Sequence, residues 1–187
     1  MPAPRDRFAD ARAAGVALVP LITDWLHLAT SAAPQERVSA DVVIAVAASD
    51  AQAACDLAEV MAAQTRLPTI RLLMARHGEG VDVQGAGLFE PDAREPDARI
   101  PEALALELLQ GARTIVVVDR GVETGLSALR AAQWLREQCG SAVPLVLAVG
   151  VCPQQALPEL RQGYQHVIAA VSPLARRRLR WHFDDLQ

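Results

Sequence analysis

Residues 114–127 limit most narrowly what this chain can become. Thr114–Val118 is an apolar, mostly β-branched run, the pattern of a strand covered on both faces. Asp119 closes the run. Gly121, Thr124, Gly125 and Ser127 follow, ahead of a helical stripe through Ala128, Ala132, Leu135 and Cys139. The glycines let the backbone turn tightly, and the two hydroxyls can donate. A helix amino end behind such a loop attracts anions, because its first N–H groups lack partners and the dipole favours negative charge. An acid beside an anion cradle suits a ligand with both hydroxyls and a phosphate, such as a ribose phosphate. The same residues also make an ordinary strand-to-helix connection with Thr124 as the cap, and both readings stand at this level.

Strands and helices alternate around this segment. The spacing predicts strands over 41–47, 68–74, 113–118, 143–151 and 166–171, and helices over 8–28 (bent at Pro20), 50–65, 101–110, 124–138, 153–162 and 173–183. Asp50 or Ser49 would cap the second helix, and Gly111 would stop the third. Alternation with apolar strands implies an α/β fold: a mainly parallel, twisted sheet of about five strands with helices on both faces. At 187 residues one good core suffices, so a single domain over 1–187 is expected, opening with a helical segment in 1–30. Residues 75–100 break the rhythm. They are rich in Gly, Asp, Arg and Pro, as in a functional or mobile loop, with Val81–Val83 as one strand of a hairpin.

Composition removes several function classes. Hydrophobic residues make up 51% and charged residues 21%, a globular profile. The net charge of −4 argues against a nucleic-acid partner, which needs clustered positive charge. Arg176–Arg178 and Arg180 sit beside Asp184 and Asp185 and read as a solvated or ion-paired face. Every strongly basic side chain is arginine. Lysine Schiff-base chemistry and the lysine-bearing phosphate loop are thereby excluded, and a cationic phosphate contact must use a guanidinium. Cys55, Cys139 and Cys152 are scattered, as are His27, His77, His166 and His182. Neither set has metal spacing or a disulfide framework, so no metal site made by side chains alone is expected. The cysteine pattern fits a cytoplasmic setting. No apolar stretch approaches membrane-spanning length, so no membrane partner is expected.

The segment Val116–Val118, Asp119, Gly121, Val122, Thr124, Gly125 and Ser127 resembles the phosphoribosyl pyrophosphate loop of type I phosphoribosyltransferases. The strand 145–151 with Cys152 and Pro153, the opening 7–15 and the tail 181–187 are also similar to stand-alone bacterial members. The resemblance implies that family's fold, with 75–100 as its flexible catalytic loop, or hood. It implies a small-molecule phosphoribosyl ligand, displacement at the anomeric carbon, and Mg²⁺ held mainly by the ligand. A homodimer is compatible with it. Asp119 would accept from the ribose hydroxyls, and the run Arg120, Gly121, Val122, Glu123, Thr124, Gly125, Leu126 and Ser127 would hold the ribose phosphate. Glu123 stands where purine-specific members place an acid near the base; it also reads as an exposed acid at a helix start. Arg76 would contact phosphate, or be a solvated arginine.

Two departures bear on activity. Arg120 replaces the family's second acid and cannot accept hydrogen bonds. The pyrophosphate loop after the first strand, at Ala47, Ala48, Ser49 and Asp50, lacks the family's glycines and carries an acid. Three readings compete: a phosphoribosyltransferase acting on an unspecified base, an inactive relative that binds a phosphorylated ligand as a regulator or partner, and an unrelated Rossmann-like enzyme, which the lack of a G-x-G-x-x-G after the first strand disfavours.

Overall fold

The structure, a computed structural model, describes residues 7–30, 42–78, 80–89 and 102–186. Among the described residues six strands form one sheet: β1 (Val42–Val46), β2 (Thr69–His77), β3 (Gly80–Leu88), β4 (Thr114–Gly121), β5 (Leu145–Val151) and β6 (His166–Val171). Their order is β3-β2-β1-β4-β5-β6. All neighbours are parallel except β2 and β3, which form an antiparallel hairpin. The helices are α1 (Ala11–Thr30), α2 (Ala51–Thr65), α3 (Glu102–Gly111), α4 (Leu126–Cys139) and the short α5 (Leu157–Leu160).

A strand's side chains alternate between faces, and here the alternation is complete. Val43, Ala45, Ile115, Val117, Leu145 and Leu147 pack under Leu109 of α3 and Ala128, Ala131 and Leu135 of α4. Val42, Ile44, Val46, Val116, Val118 and Val146 pack against Leu18 and Ile22 of α1 and Leu57 and Met61 of α2. Odd and even residues of the central strands thus belong to separate cores, which is why these strands read as unbroken apolar runs. Asp10 and Asp50 cap α1 and α2 by accepting from Ala13 N–H (2.7 Å) and Ala53 N–H (2.8 Å). A third small cluster joins Phe8, Ala14, Val151 and Phe183.

Three expectations are corrected. Among the described residues the sheet has six strands rather than about five, because residues 80–88 are a full strand. The hairpin expected within 75–100 is present and longer than Val81–Val83, with Arg76 inside β2 opposite Val81; residues 79 and 90–101 lie outside the described residues. Phe8 is not helical but bridges Phe183 in parallel. Residues 173–183 form no α-helix. Past Pro173 they run irregularly, with single 3-10 turns at Leu179–Trp181 and Asp184–Leu186. Main-chain bonds explain why: Phe8 N–H donates to His182 O (2.8 Å) and Asp184 N–H to Phe8 O (3.0 Å). These draw the segment out into a strap.

Candidate functional site

In the sheet, β1 and β4 lie side by side, but the chain leaves β1 toward β2 and leaves β4 toward β5. At such a reversal the loops part, and open α/β sheets bind ligands in the crevice beyond the strands' carboxyl ends. A cleft of about 380 Å³ opens there. Ser49, Arg76, the run Asp119–Ala128, Leu179 and Leu186 line it.

Asp119 continues the odd-numbered series of β4 and so faces the α4 side. It is only 8% exposed. Arg120 N–H donates to its Oδ1 at 2.7 Å. Burial pushes the carboxyl up to about 7, against the opposing pull of the Arg120 and Gly121 main chain and the charges of Arg120 and Arg76. The strand does not stop at Asp119 but pairs as far as Gly121. Glycine at 121 leaves room for the strap: a Cβ would stand 2.5 Å from the movable tip of Leu179, at Cδ2, and 3.3 Å from Val151 O.

Helix α4 begins at Leu126, later than the sequence suggests. Gly125 is its cap, with φ +84°, a conformation that glycine adopts without strain. Thr124 does not cap by side chain in the usual sense; its Oγ1 accepts only a long bond from Leu126 N–H at 3.4 Å. The helical ladder starts with Leu129 N–H to Gly125 O (2.9 Å), so the N–H groups of Leu126, Ser127 and Ala128 precede it and have no helical carbonyl. Val122 leaves the expected cradle, since its N–H donates to Val151 O at 2.8 Å. Tyr164, the only tyrosine in the chain, braces this turn from below by donating to Ala128 O. Burial, and then the charge of Asp119, raise its phenol above the ordinary value.

The other candidates separate into those that reach the cleft and those that do not. Ala47 N–H is taken by Val118 O (2.9 Å), Ala48 is buried, and the Asp50 carboxylate caps α2. The loop after β1 therefore offers only Ser49. Ser49 Oγ accepts from Arg76 Nη2 at 2.8 Å, which holds a guanidinium at the mouth of the cleft. Arg120 belongs to the even series, and its guanidinium is turned to the strap, 5.9 Å over the Phe183 ring and 3.9 Å from Asp185 Oδ2. Glu123 Oε1 accepts from Leu179 N–H at 2.6 Å, so this acid fastens the strap across the cleft. Leu179 and Leu186, which the sequence did not single out, form that roof.

Glu123→Ala should loosen the strap. Trypsin cleavage at the exposed Arg177, Arg178 and Arg180 is expected to quicken roughly threefold to tenfold, because local opening governs such cleavage. An unchanged rate would show that the bond does not hold the strap.

Among the described residues, no group of three or more His, Cys, Asp or Glu side chains could hold a metal ion, and no helix is long and apolar enough to cross a membrane. No protein-family model matches the chain, and no curated protein matches it. Among solved structures, the chain is similar to TT1426 from Thermus thermophilus, with a TM-score of 0.57 and 20% identity over 97% of this chain and 92% of that one. That likeness shows a shared fold. Others are Leishmania donovani hypoxanthine-guanine phosphoribosyltransferase (TM-score 0.48, 13% identity, 90% and 86% of the two chains) and orotate phosphoribosyltransferase from Aeropyrum pernix (0.41, 20%, 81% and 71%).

Proposed function

We propose that this phosphoribosyltransferase-like chain binds a 5-phosphoribosyl ligand, phosphoribosyl pyrophosphate or a nucleoside monophosphate, in the cleft between β1 and β4. One observation carries the reading: the buried Asp119 carboxyl and the glycine-capped amino end of α4 border the same 380 Å³ space at the sheet's reversal. The carboxylate accepts from the ribose hydroxyls. The N–H groups at the start of α4, with the Thr124 and Ser127 hydroxyls, receive the 5-phosphate. A cytoplasmic setting suits the three free cysteines.

Transfer of the phosphoribosyl group is the second half of the proposal, and Arg76 favours it. Its guanidinium borders the cleft on the β1 side, where it can take charge from a departing pyrophosphate. Glu123 supports it less, because its carboxylate already accepts from Leu179. With Arg120 turned away, one acid of β4 faces the cleft, too few for a resident Mg²⁺. The ion fits only as a companion of the ligand's phosphates, where it would neutralise developing charge. If transfer is absent, the same cleft serves the inactive, ligand-sensing relative.

Titration calorimetry with phosphoribosyl pyrophosphate and with inosine monophosphate, each with and without magnesium, tests the reading. Binding by the wild type and its loss in Asp119→Asn is the expected result. Magnesium-dependent binding of the pyrophosphate form points to transfer, and magnesium-indifferent monophosphate binding points to the sensor. If neither ligand binds at millimolar concentration, the proposal fails. Arg76→Ala should weaken the pyrophosphate ligand by about tenfold, as expected for one charge-assisted contact, and leave the monophosphate within about twofold. Equal losses for both would remove Arg76 from the pyrophosphate side.

A further inference from the structure

The strap over the cleft has a second side. Leu179 and Leu186 look toward Asp119, whereas Trp181 and His182 line a separate cavity of about 680 Å³. Its floor is the carboxyl end of β6, at Ala170 and Val171, and its rim carries Leu174, Arg7 and Arg177. The volume lies within the range of small-molecule sites.

The lining has an unusual composition for solvent-facing surface. Trp181 is 56% exposed and Leu174 is 77% exposed, so an indole and an isobutyl group of one lining are largely open to solvent. Arg7 and Arg177 belong to the same lining. Arg176 is tied to Glu159 (2.8 Å) and points out of the cavity lining, but its neighbour Arg177 makes no ion pair among the described residues. Arg7 donates one Nη2 bond to Asp184 at 2.7 Å, and a guanidinium has five N–H donors. Asp184 would repel an anion, which sets the better anionic position nearer Arg177.

Indole faces attract flat rings, and arginine forks match phosphate and carboxylate oxygens. We propose that this cavity is a second ligand site, separate from the cleft, for a planar aromatic ring carrying two or more negative charges. The ring lies on Trp181 and Leu174, and the anionic group on Arg177 with help from Arg7. Adenosine diphosphate has both parts and is a suitable probe. Nothing in the inference depends on what the cleft binds.

Calorimetry and tryptophan fluorescence on the full chain test it. The Asp119→Asn variant is used so that the cleft does not compete. Adenosine diphosphate should bind this variant, and Arg177→Ala and Trp181→Ala, each added to it, should weaken binding by at least about tenfold, as for one charge-assisted contact or one stacked base. Both residues are exposed, and unchanged thermal unfolding would confirm that the variants fold. Adenosine and inorganic pyrophosphate should each bind at least about tenfold more weakly than the intact probe. Absence of binding at millimolar concentration overturns the proposal. So does binding that survives either substitution, or a probe bound no better than its parts.

Discussion

Replacing Asp119 by asparagine is expected to make the protein more stable at pH 8 while abolishing its binding of phosphoribosyl ligands. The carboxyl sits where burial lifts it from 3.8 to about 7. Below about pH 4 it is protonated in both folded and unfolded chains and contributes nothing to the pH dependence. Between about pH 4 and 7 the unfolded chain ionises first, so stability falls as pH rises. Above 7 both states are ionised and the whole penalty stands, at most roughly 4 kcal/mol at about 1.4 kcal/mol per tenfold in acidity. Asparagine keeps an oxygen for the Arg120 N–H bond and carries no charge to desolvate. A gain of roughly 2–4 kcal/mol corresponds to a melting temperature higher by about 5–15 °C for a chain of this size. Thermal unfolding from pH 4 to 9 checks this: the gap between variant and wild type should open across that interval. A gap that ignores pH would mean the carboxyl is not desolvated. In the wild type, ligand affinity should rise from pH 6 to 8, since the ionised form accepts from both ribose hydroxyls.

Gly150→Ala is expected to be the most damaging small substitution away from the cleft. A Cβ at this position would stand 2.5 Å from Arg120 O, 2.8 Å from Ala14 Cβ and 3.5 Å from Phe8 Cε2. Neither of the first two is the tip of a flexible side chain. Either α1 lifts from the sheet or the backbone of β4 shifts beside Asp119. Overpacking of this kind costs about 3 kcal/mol or more when the neighbours are stiff, a fall in melting temperature of roughly 6–12 °C. Gly87→Ala, whose Cβ would meet nothing within 4 Å, is the control and should stay within about 0.5 kcal/mol. A Gly150→Ala variant that melts with the wild type would show that α1 does not press on the sheet here.

The central strands were legible because their chemistry is local. β4 and β5 are apolar runs buried on both faces, and β6 occupies the span expected of it. β3 was legible only at Val81–Val83, and its full length over Gly80–Leu88 was not. It is a glycine-bearing edge held by main-chain pairing to β2, and its half-exposed side chains carry little periodic signal. The last segment misled for a different reason: an arginine-rich stretch has good helix propensity, but tertiary bonds to Phe8 override it. Within the site, Asp119 and the loop to Ser127 are contiguous and could be read directly. The contacts that shape the cleft are not contiguous. Arg76 meets Ser49 across 27 residues, and Glu123 meets Leu179 across 56. Neither pairing leaves a mark in its own neighbourhood.

The bond from Leu179 to Glu123 has one more consequence. Its donor is an amide of the main chain, so this one bond does not depend on which side chain position 179 carries. The leucine side chain holds the strap separately, by packing on the cluster of Phe8, Val151 and Phe183, and apolar residues of similar or smaller size are the ones that could change the roof and keep the clasp. Proline alone, having no N–H to give, would undo it. Roof chemistry and this part of roof attachment can therefore vary separately, and a library of small apolar residues at position 179 would alter ligand preference while keeping the main-chain clasp.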